Sequence, residues 1–272
     1  MRSSVGLALI LALVVPAAGE EAPTPTALGP ALDLTHAFDA STIYWPTEEG
    51  FVLERGTEGR TAAGTWYAAH RMRLAEHGGT HLDAPSHFHE GGSPAERVPL
   101  DRLVAKAVVV DVREACAKSA DYAVSVADLE RFEAAHGRIP EGAALLLATG
   151  FGARWPDRAR YLGTDERGPR AVAKLHFPGL DPAAARWLVA KRRIAAVGLD
   201  TASIDPGTSQ RFETHQILFA AEIPAFENLA QVDRLPPTGA TLIALPMKIA
   251  GGSGGPLRAI AILPSEGDGP PP

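Results

Sequence analysis

Residues 77–87 restrict the fold of this chain more than any other part of the sequence. The segment reads His-Gly-Gly-Thr-His-Leu-Asp-Ala-Pro-Ser-His, so three imidazoles and a carboxylate fall within eleven residues. Two adjacent glycines and a proline are incompatible with a regular helix here. A chain with this pattern must run through the segment as extended backbone and turns, which can bring nitrogen and oxygen donors to one place.

The spacing within the segment predicts a metal site. His81 and Asp83 are two residues apart, so on an extended backbone their side chains point to the same face. His77 precedes His81 by four residues, and Gly78 and Gly79 between them allow the chain to bend and approach an ion closely. Two imidazoles and one carboxylate leave coordination positions open for water and substrate, which is typical of a catalytic site rather than a structural one.

His87 is the candidate for proton transfer. A divalent cation polarises a carbonyl and lowers the pKa of a bound water from about 15.7 toward roughly 7, and a nearby group must then move a proton to the leaving nitrogen. An imidazole suits both directions of that transfer because its ordinary pKa is about 6.5. A histidine-rich loop can also be a structural or binding site without chemistry, and this alternative stays open.

The composition narrows the class of protein. The chain has 272 residues, 46% of them hydrophobic, and a formal net charge of -6. The length suits one large domain or two small ones. No basic cluster exceeds Lys191-Arg192-Arg193, so we expect no nucleic-acid partner. The single cysteine, Cys116, cannot form an internal disulfide, and it lies in a segment that we expect to be solvated, so a nucleophilic role is not expected.

The amino terminus has the pattern of an export signal. Arg2 precedes an apolar run over residues 5–15 that is too short to span a bilayer, and residues 17–19 are small enough for a signal peptidase. We predict cleavage near Gly19 and a periplasmic or secreted protein without membrane contact after cleavage. A retained membrane anchor or a buried helix is the alternative.

The rest of the chain divides into three parts. Residues 20–30, rich in Pro and Thr, are expected to be a flexible lead-in. Residues 31–264 show no internal repeat and no change of composition, so they are expected to form a single domain. Residues 265–272 are expected to be a disordered tail.

Strand signals outnumber helix signals, which predicts an α/β fold with a mixed sheet or a barrel-like core rather than a doubly wound sheet. Helices are expected to begin after Ser125 and Asp181, which can cap them, and a helical turn is expected over residues 215–220. Residues 46–64 are expected to be a long loop, followed by an extended segment. The expected strands cover residues 32–38, 105–112, 143–149, 194–199, 241–249 and 257–263.

The histidine-rich segment resembles the signature of the metal-dependent cyclase-type hydrolases, which include bacterial kynurenine formamidases and isatin hydrolases. The signature H-x-G-T-H-x-D-x-P-x-H matches at every fixed position. The resemblance extends from residue 32 to about residue 264 and implies a swivelling β/β/α fold. It also implies a homodimer or higher oligomer with sites near the subunit boundary. Further similar strings are Asp33-Leu34-Thr35-His36, Tyr44-Trp45-Pro46, Asp200-Thr201-Ala202-Ser203 and Glu227-Asn228-Leu229.

The resemblance implies roles for individual residues. The implied metal ligands are His77, His81, Asp83, His215 and Glu227. His215 and Glu227 match a later His and Glu that help to bind a second metal in formamidases, whereas members similar to isatin hydrolase hold one metal, often manganese. Mn²⁺ and Zn²⁺ both accept such ligands, so the identity and number of ions stay open. Trp45 matches an aromatic residue that packs against the substrate ring, with a buried core aromatic as an equal alternative.

The resemblance implies a hydrolase that opens a C–N bond in a small molecule. The export pattern, the long loop and the glycine-rich residues 246–256 are more similar to the isatin hydrolase branch, which favours opening of an isatin-like lactam. An arylformamidase acting on N-formylkynurenine is the alternative. A periplasmic binding protein that keeps the metal ligands without turnover is an alternative of another class, and dehydration or ring closure by the same metal stays open.

Overall fold

The computed structural model describes residues 29–265. The predicted signal peptide, most of the lead-in and all of the predicted tail except Ser265 lie outside the described residues. Within them, no helix combines the length and apolar character needed to cross a bilayer. The strands are β1 (Ala31–Asp33), β2 (Val52–Glu54), β3 (Glu58–Arg60), β4 (Trp66–Ala68), β5 (Arg71–Arg73), β6 (His81–Asp83), β7 (Val104–Asp111), β8 (Ala123–Val124), β9 (Ala144–Ala148), β10 (Gly179–Leu180), β11 (Ala196–Leu199), β12 (Ala225–Glu227), β13 (Thr241–Pro246) and β14 (Gly254–Ile262).

Seven α-helices and several short 3-10 turns connect the strands of the described part. The helices are α1 (Leu100–Leu103), α2 (Arg113–Lys118), α3 (Val126–His136), α4 (Arg158–Leu162), α5 (Pro169–Val172), α6 (Pro182–Lys191) and α7 (Glu213–Ala220). The 3-10 turns are Pro85–His87, Ala95–Arg97, Phe151–Arg154 and Val232–Arg234.

A closed, mixed barrel forms the centre of the fold. Strands β7, β9, β11 and β12 are parallel neighbours, with β13 antiparallel on one side and β6 antiparallel on the other. Strand β14 pairs with both β13 and β6 and thereby closes the ring, while β1 pairs farther along β14. This arrangement confirms the predicted α/β fold with a barrel-like mixed sheet.

The buried side chains form two hydrophobic clusters that follow the period of two along the strands. On β7, Val108 and Val110 join the cluster that also contains Leu129 of α3 and Leu188 of α6, so this cluster lies between the barrel and its helices. Val109 joins a second cluster made mainly of strand residues from around the ring. Apolar side chains therefore fill the inside of the barrel and the space between the barrel and its helices.

The two long helices begin as predicted. The backbone N–H of Ser125 donates to Asp128 Oδ2 (2.8 Å) in a capping box at the start of α3, and Gly137 ends that helix at φ 85°. The Asp181 carboxylate accepts the backbone N–H of Ala183 at 2.7 Å at the start of α6, with Pro182 in the first turn.

Two sequence predictions were wrong about local environment. Strand β1 ends at Asp33 rather than at residue 38, because the Asp33 carboxylate accepts the backbone N–H of Thr35 at 3.1 Å and turns the chain. Cys116 is buried, not solvated, because α2 packs this side chain against the hydrophobic cluster between the barrel and its helices. Burial raises the pKa of this thiol to about 12, which disfavours the reactive thiolate.

The predicted loop over residues 46–64 is also partly wrong, because two of its segments are strands. Strand β2 pairs with β5 and β3 pairs with β4, so residues 50–74 form an antiparallel arm. Nearly every residue of this arm is exposed on both faces. Its sequence is rich in Gly, Thr and charged residues and lacks the apolar alternation that indicates a strand.

Candidate metal centre

Strand β6 positions the first two donors of the site. His81 and Asp83 alternate with Leu82, which packs into the strand cluster, so the imidazole and the carboxylate share the opposite face. Both side chains are almost fully buried, at 2% exposure each. The extended backbone predicted for this pair from its spacing of two is confirmed.

The two glycines before β6 turn the chain so that His77 lies beside Asp83. A Cβ atom on Gly78 would lie 2.1 Å from the ring of Tyr44, so no side chain fits there. Gly79 has a left-handed φ of 59°, and a Cβ atom on it would meet the ring of Phe38 at 2.5 Å. The turn therefore requires both glycines, and it places His77 Nδ1 2.6 Å from Asp83 Oδ1.

Four further contacts complete the donor cluster, two with Asp83 and two with Glu227. His81 Nε2 lies 3.0 Å from Asp83 Oδ1, and His215 Nε2 of α7 lies 3.2 Å from Asp83 Oδ2. Glu227, at the end of β12, places Oε1 3.2 Å from His215 Nε2 and Oε2 3.6 Å from His81 Nε2. The structure thus brings together all five residues that the sequence named as metal ligands.

This donor set fits a divalent cation. His81 Nε2 is buried and makes no hydrogen bond within the described residues, although it faces two carboxylates. Burial and the neighbouring Asp83 raise the pKa of Glu227, since two carboxylates that are close together and shielded from water repel each other. Despite its burial, contacts with His77 and His81 hold the pKa of Asp83 well below its usual range. A cation among these atoms would satisfy the free imidazole nitrogen and offset the repulsion.

In His81 and His215, Nε2 faces the donor cluster, and the other ring nitrogen, Nδ1, contacts an oxygen outside the cluster. His81 Nδ1 lies 3.0 Å from the carbonyl oxygen of Gly79, and His215 Nδ1 lies 2.6 Å from Asp205 Oδ2. In the neutral form of each ring, a proton donated from Nδ1 leaves Nε2 unprotonated and facing the cluster. Asn228 supports this arrangement, because its Nδ2 donates to the same Gly79 carbonyl at 2.8 Å.

His87 lies at the rim of the cluster. It ends the 3-10 turn Pro85–His87, and its ring stacks on that of His77 at 3.8 Å and 18°. Burial lowers its pKa to about 4 in the absence of an ion. A ligand atom of His87 also lies within 4.8 Å of those of His77 and Asp83, so the structure allows both a proton-transfer role and a ligand role for this residue.

A cavity of about 490 Å³ opens onto the donor cluster. Trp45, Phe88 and Phe212 supply aromatic walls, with ring centroids of Trp45 and Phe212 6.0 Å apart and those of Phe88 and Phe212 5.1 Å apart. Trp45 is half-buried and also contacts the core ring of Phe177 edge-on, so it has features of both alternatives given by the sequence. Besides the donors Asp83 and Glu227, the lining within residues 29–265 contains Glu48 and Glu76 but no Lys or Arg.

Comparison with known proteins identifies the family. The Cyclase family model, described as "Putative cyclase", matches residues 32–206, more than half of the chain. The chain belongs to the Cyclase family. The match includes the segment with His77, His81 and Asp83 and stops before His215, so the second part of the donor cluster rests on the structure.

Relatives with assigned names agree with this membership. The chain is 33% identical to an isatin hydrolase of Roseibium aggregatum over 74% of this chain and 77% of that protein. It is 29% identical to a kynurenine formamidase of Salinibacter ruber over 84% of this chain and 95% of that protein. These matches confirm the resemblance to metal-dependent cyclase-type hydrolases.

Solved structures show the same fold. Isatin hydrolase A from Ralstonia solanacearum superposes with a TM-score of 0.77 at 31% identity and covers 86% of this chain and 92% of its own. A protein described as a predicted metal-dependent hydrolase from Bacillus stearothermophilus gives a TM-score of 0.63 at 25% identity, covering 86% and 98%. The fold implied by the sequence resemblance is thereby confirmed for this Cyclase-family chain.

Sequence reasoning missed two residues of this Cyclase-family site. Asp205 orients His215 from ten positions earlier in the chain, and no spacing rule links an aspartate in a loop to a histidine in the following helix. The Tyr44 hydroxyl is buried without a partner among the described residues, and Tyr44 lines the cavity. Burial raises the pKa of Tyr44 to about 12, so its hydroxyl stays a donor at neutral pH.

Proposed function

We propose that this chain is a metal-dependent hydrolase that opens the C–N bond of an uncharged cyclic aromatic amide such as isatin. The observation that carries the proposal is the convergence of three imidazoles and two carboxylates at the floor of an aromatic-walled cavity. A bound Mn²⁺ or Zn²⁺, one ion or two, would be held by these five side chains and would supply carbonyl polarisation and water activation.

Side chains around the metal site would bind the substrate, move its proton and orient the metal ligands. Trp45, Phe88 and Phe212 would pack against the faces and edges of a planar ring. The neutral Tyr44 hydroxyl is a donor for a substrate oxygen. His87, beside His77, would move the proton to the leaving nitrogen. Asp205 and the Gly79 carbonyl keep the ligand imidazoles in one orientation throughout.

The charge of the cavity lining favours a lactam over N-formylkynurenine. The amino-acid portion of N-formylkynurenine carries an ammonium and a carboxylate, and the carboxylate needs a cationic partner when it is removed from water. The lining residues described offer Glu48 and Glu76 but no Lys or Arg. A neutral bicyclic lactam needs no such partner.

A comparison of two substrates tests the proposal. We expect kcat/KM of the Mn²⁺- or Zn²⁺-loaded protein for isatin to exceed that for N-formylkynurenine by about 100-fold or more, because an unpaired buried charge costs about 3 kcal/mol or more. Ring opening is followed by absorbance and metal content by elemental analysis. The reverse preference would favour the arylformamidase alternative. Stable metal content without turnover of lactams or aryl formamides would favour the binding-protein alternative.

We also propose that the chain forms a homodimer or a higher homo-oligomer through its arm. A two-stranded ribbon is at best marginally stable alone in water. This arm exposes large apolar side chains, and such surfaces are typical of interfaces. Their exposures are 51% for Leu53, 61% for Trp66, 51% for Tyr67 and 53% for Met72. A second copy of the arm would cover them.

Light scattering after gel filtration tests this oligomer. We expect the wild-type chain to elute as a dimer or larger species and Trp66→Glu to shift it toward the monomer, since a charge at the centre of an apolar interface costs several kcal/mol. Trp66→Phe, which keeps an apolar ring, is the matched control and should keep the wild-type mass. A monomeric wild-type protein would contradict the proposal.

Export is the remaining proposal. It is supported by the charged, apolar and small-residue pattern of residues 1–19. Amino-terminal sequencing of protein recovered outside the cytoplasm should give a start near Glu20, and recovery of the intact Met1 form would contradict it.

A further inference from the structure

The glycine-rich segment after β13 reaches the third histidine of the donor cluster. The Ser253 hydroxyl lies 2.8 Å from His77 Nε2, although the two residues are 176 positions apart in the sequence. Since His77 Nδ1 faces Asp83 and the cluster, Nε2 is the outer nitrogen of this ring. Ser253 therefore contacts the ring nitrogen of His77 that faces away from the cluster, as Asp205 does for His215.

The direction of the hydrogen bonds follows from the partners of Ser253. Its Oγ lies 2.7 Å from Glu76 Oε2, and its backbone N–H donates to the same oxygen at 3.0 Å. A carboxylate only accepts, and a hydroxyl has a single proton to donate. If that proton is donated to Glu76, Ser253 Oγ can only accept from His77. The proton of a neutral His77 then resides on Nε2. The lone pair of Nδ1 faces Asp83 Oδ1 at 2.6 Å, where a cation shared by the two atoms would accept it.

The glycines next to Ser253 allow this contact. A Cβ atom on Gly254 would lie 2.5 Å from His77 Cε1 and 2.4 Å from the Leu82 carbonyl oxygen. A Cβ atom on Gly252 would lie 2.9 Å from Glu76 Oε1. The Ser253 carbonyl accepts the backbone N–H of Ala84 at 2.9 Å, which fixes the segment beside β6. Larger residues on either side of Ser253 would push the segment away from the ring.

We propose that Ser253, held by Glu76, is a positioning residue that orients His77 and fixes its proton on Nε2, so that Nδ1 is the atom offered to the metal. This inference rests on the proposed metal-dependent function. It assigns to His77 the opposite ring nitrogen from His81 and His215, which face the cluster through Nε2. The glycine-rich segment then serves to place the Ser253 hydroxyl against the imidazole of His77.

Zinc affinity and histidine NMR of the full-length protein test this assignment. Competition with a chromophoric chelator should show a Kd for Zn²⁺ raised about 10- to 100-fold in Ser253→Ala and in Glu76→Ala, the usual cost of losing a partner behind a ligand. In the Zn²⁺-loaded wild type labelled with ¹⁵N-histidine, long-range correlations should show His77 protonated at Nε2 and His81 and His215 protonated at Nδ1. The Nε2–H signal of His77 should be lost to exchange in Ser253→Ala, while the other two persist.

Glu96 provides a matched control on the same segment. Its Oε2 accepts the backbone N–H of Gly251 at 3.0 Å, so it anchors the glycine-rich segment without touching Ser253. Glu96→Ala should keep the wild-type Kd within about twofold. Equal loss of affinity in Glu96→Ala, or wild-type affinity with a retained Nε2–H signal in Ser253→Ala, would overturn the role of Ser253 alone. A wild-type protein that binds no Zn²⁺ would instead overturn the metal centre itself.

Discussion

We expect the Asp83→Ala protein to retain no metal after dialysis and to lose at least about 1,000-fold in kcat/KM, since both water activation and carbonyl polarisation depend on the ion. Asp83 is the centre of the cluster, because its two oxygens lie within 3.2 Å of nitrogens from His77, His81 and His215. Elemental analysis and turnover of isatin measure the two effects. Metal supplied in excess should not restore activity.

Asp165, an exposed aspartate outside the cavity lining, is the control for Asp83. Asp165→Ala should keep both metal and turnover at the wild-type level. Circular dichroism of each variant separates loss of the site from loss of the fold. Full turnover by a metal-free Asp83→Ala protein would falsify the metal-dependent mechanism.

The second large effect is expected at His87. We predict that His87→Ala keeps its metal but loses about 100- to 10,000-fold in kcat, the usual range for removing a general acid–base group. The ring of His87 lies against His77 at 3.8 Å and lines the cavity, where it can reach a substrate atom. Elemental analysis combined with steady-state kinetics separates the two parts of this prediction.

His89 is a matched control for His87, two residues later in the same segment and outside the cavity lining. His89→Ala should leave kcat close to that of the wild type. If His87→Ala loses metal together with turnover, His87 is a ligand in the group that it forms with His77 and Asp83. Unchanged kcat with normal metal content would show that the proton moves by another route.

The local part of the site was accessible from the sequence. A spacing of two placed His81 and Asp83 on one face of a strand, and two glycines placed His77 beside them. These contacts depend on backbone geometry over a few residues. His215 and Glu227 were found only through the family resemblance, because nothing in their own neighbourhoods distinguishes them from ordinary residues.

The remaining features depend on contacts between distant parts of the chain. Residues 254–256 were expected to lie in or just after a glycine-rich connection, yet they pair with residues 81–83 as the first part of β14. Pairing of this kind leaves no periodic signal, since glycines are poor indicators of a strand. The burial of Cys116 was missed because it depends on the distant side chains against which α2 packs. The strands of the arm pair with near neighbours in sequence, and they were missed because they lack apolar alternation.

The closure of the barrel has a consequence for how this protein matures. The strand that carries His81 and Asp83 lies between β12 and β14, and β14 is the last strand of the described chain. During synthesis from the amino terminus, this pocket cannot be assembled until the carboxyl-terminal strand has left the ribosome. Capture of a cation by this site would then be a late event that follows long-range pairing, and it would stabilise the whole ring rather than one loop.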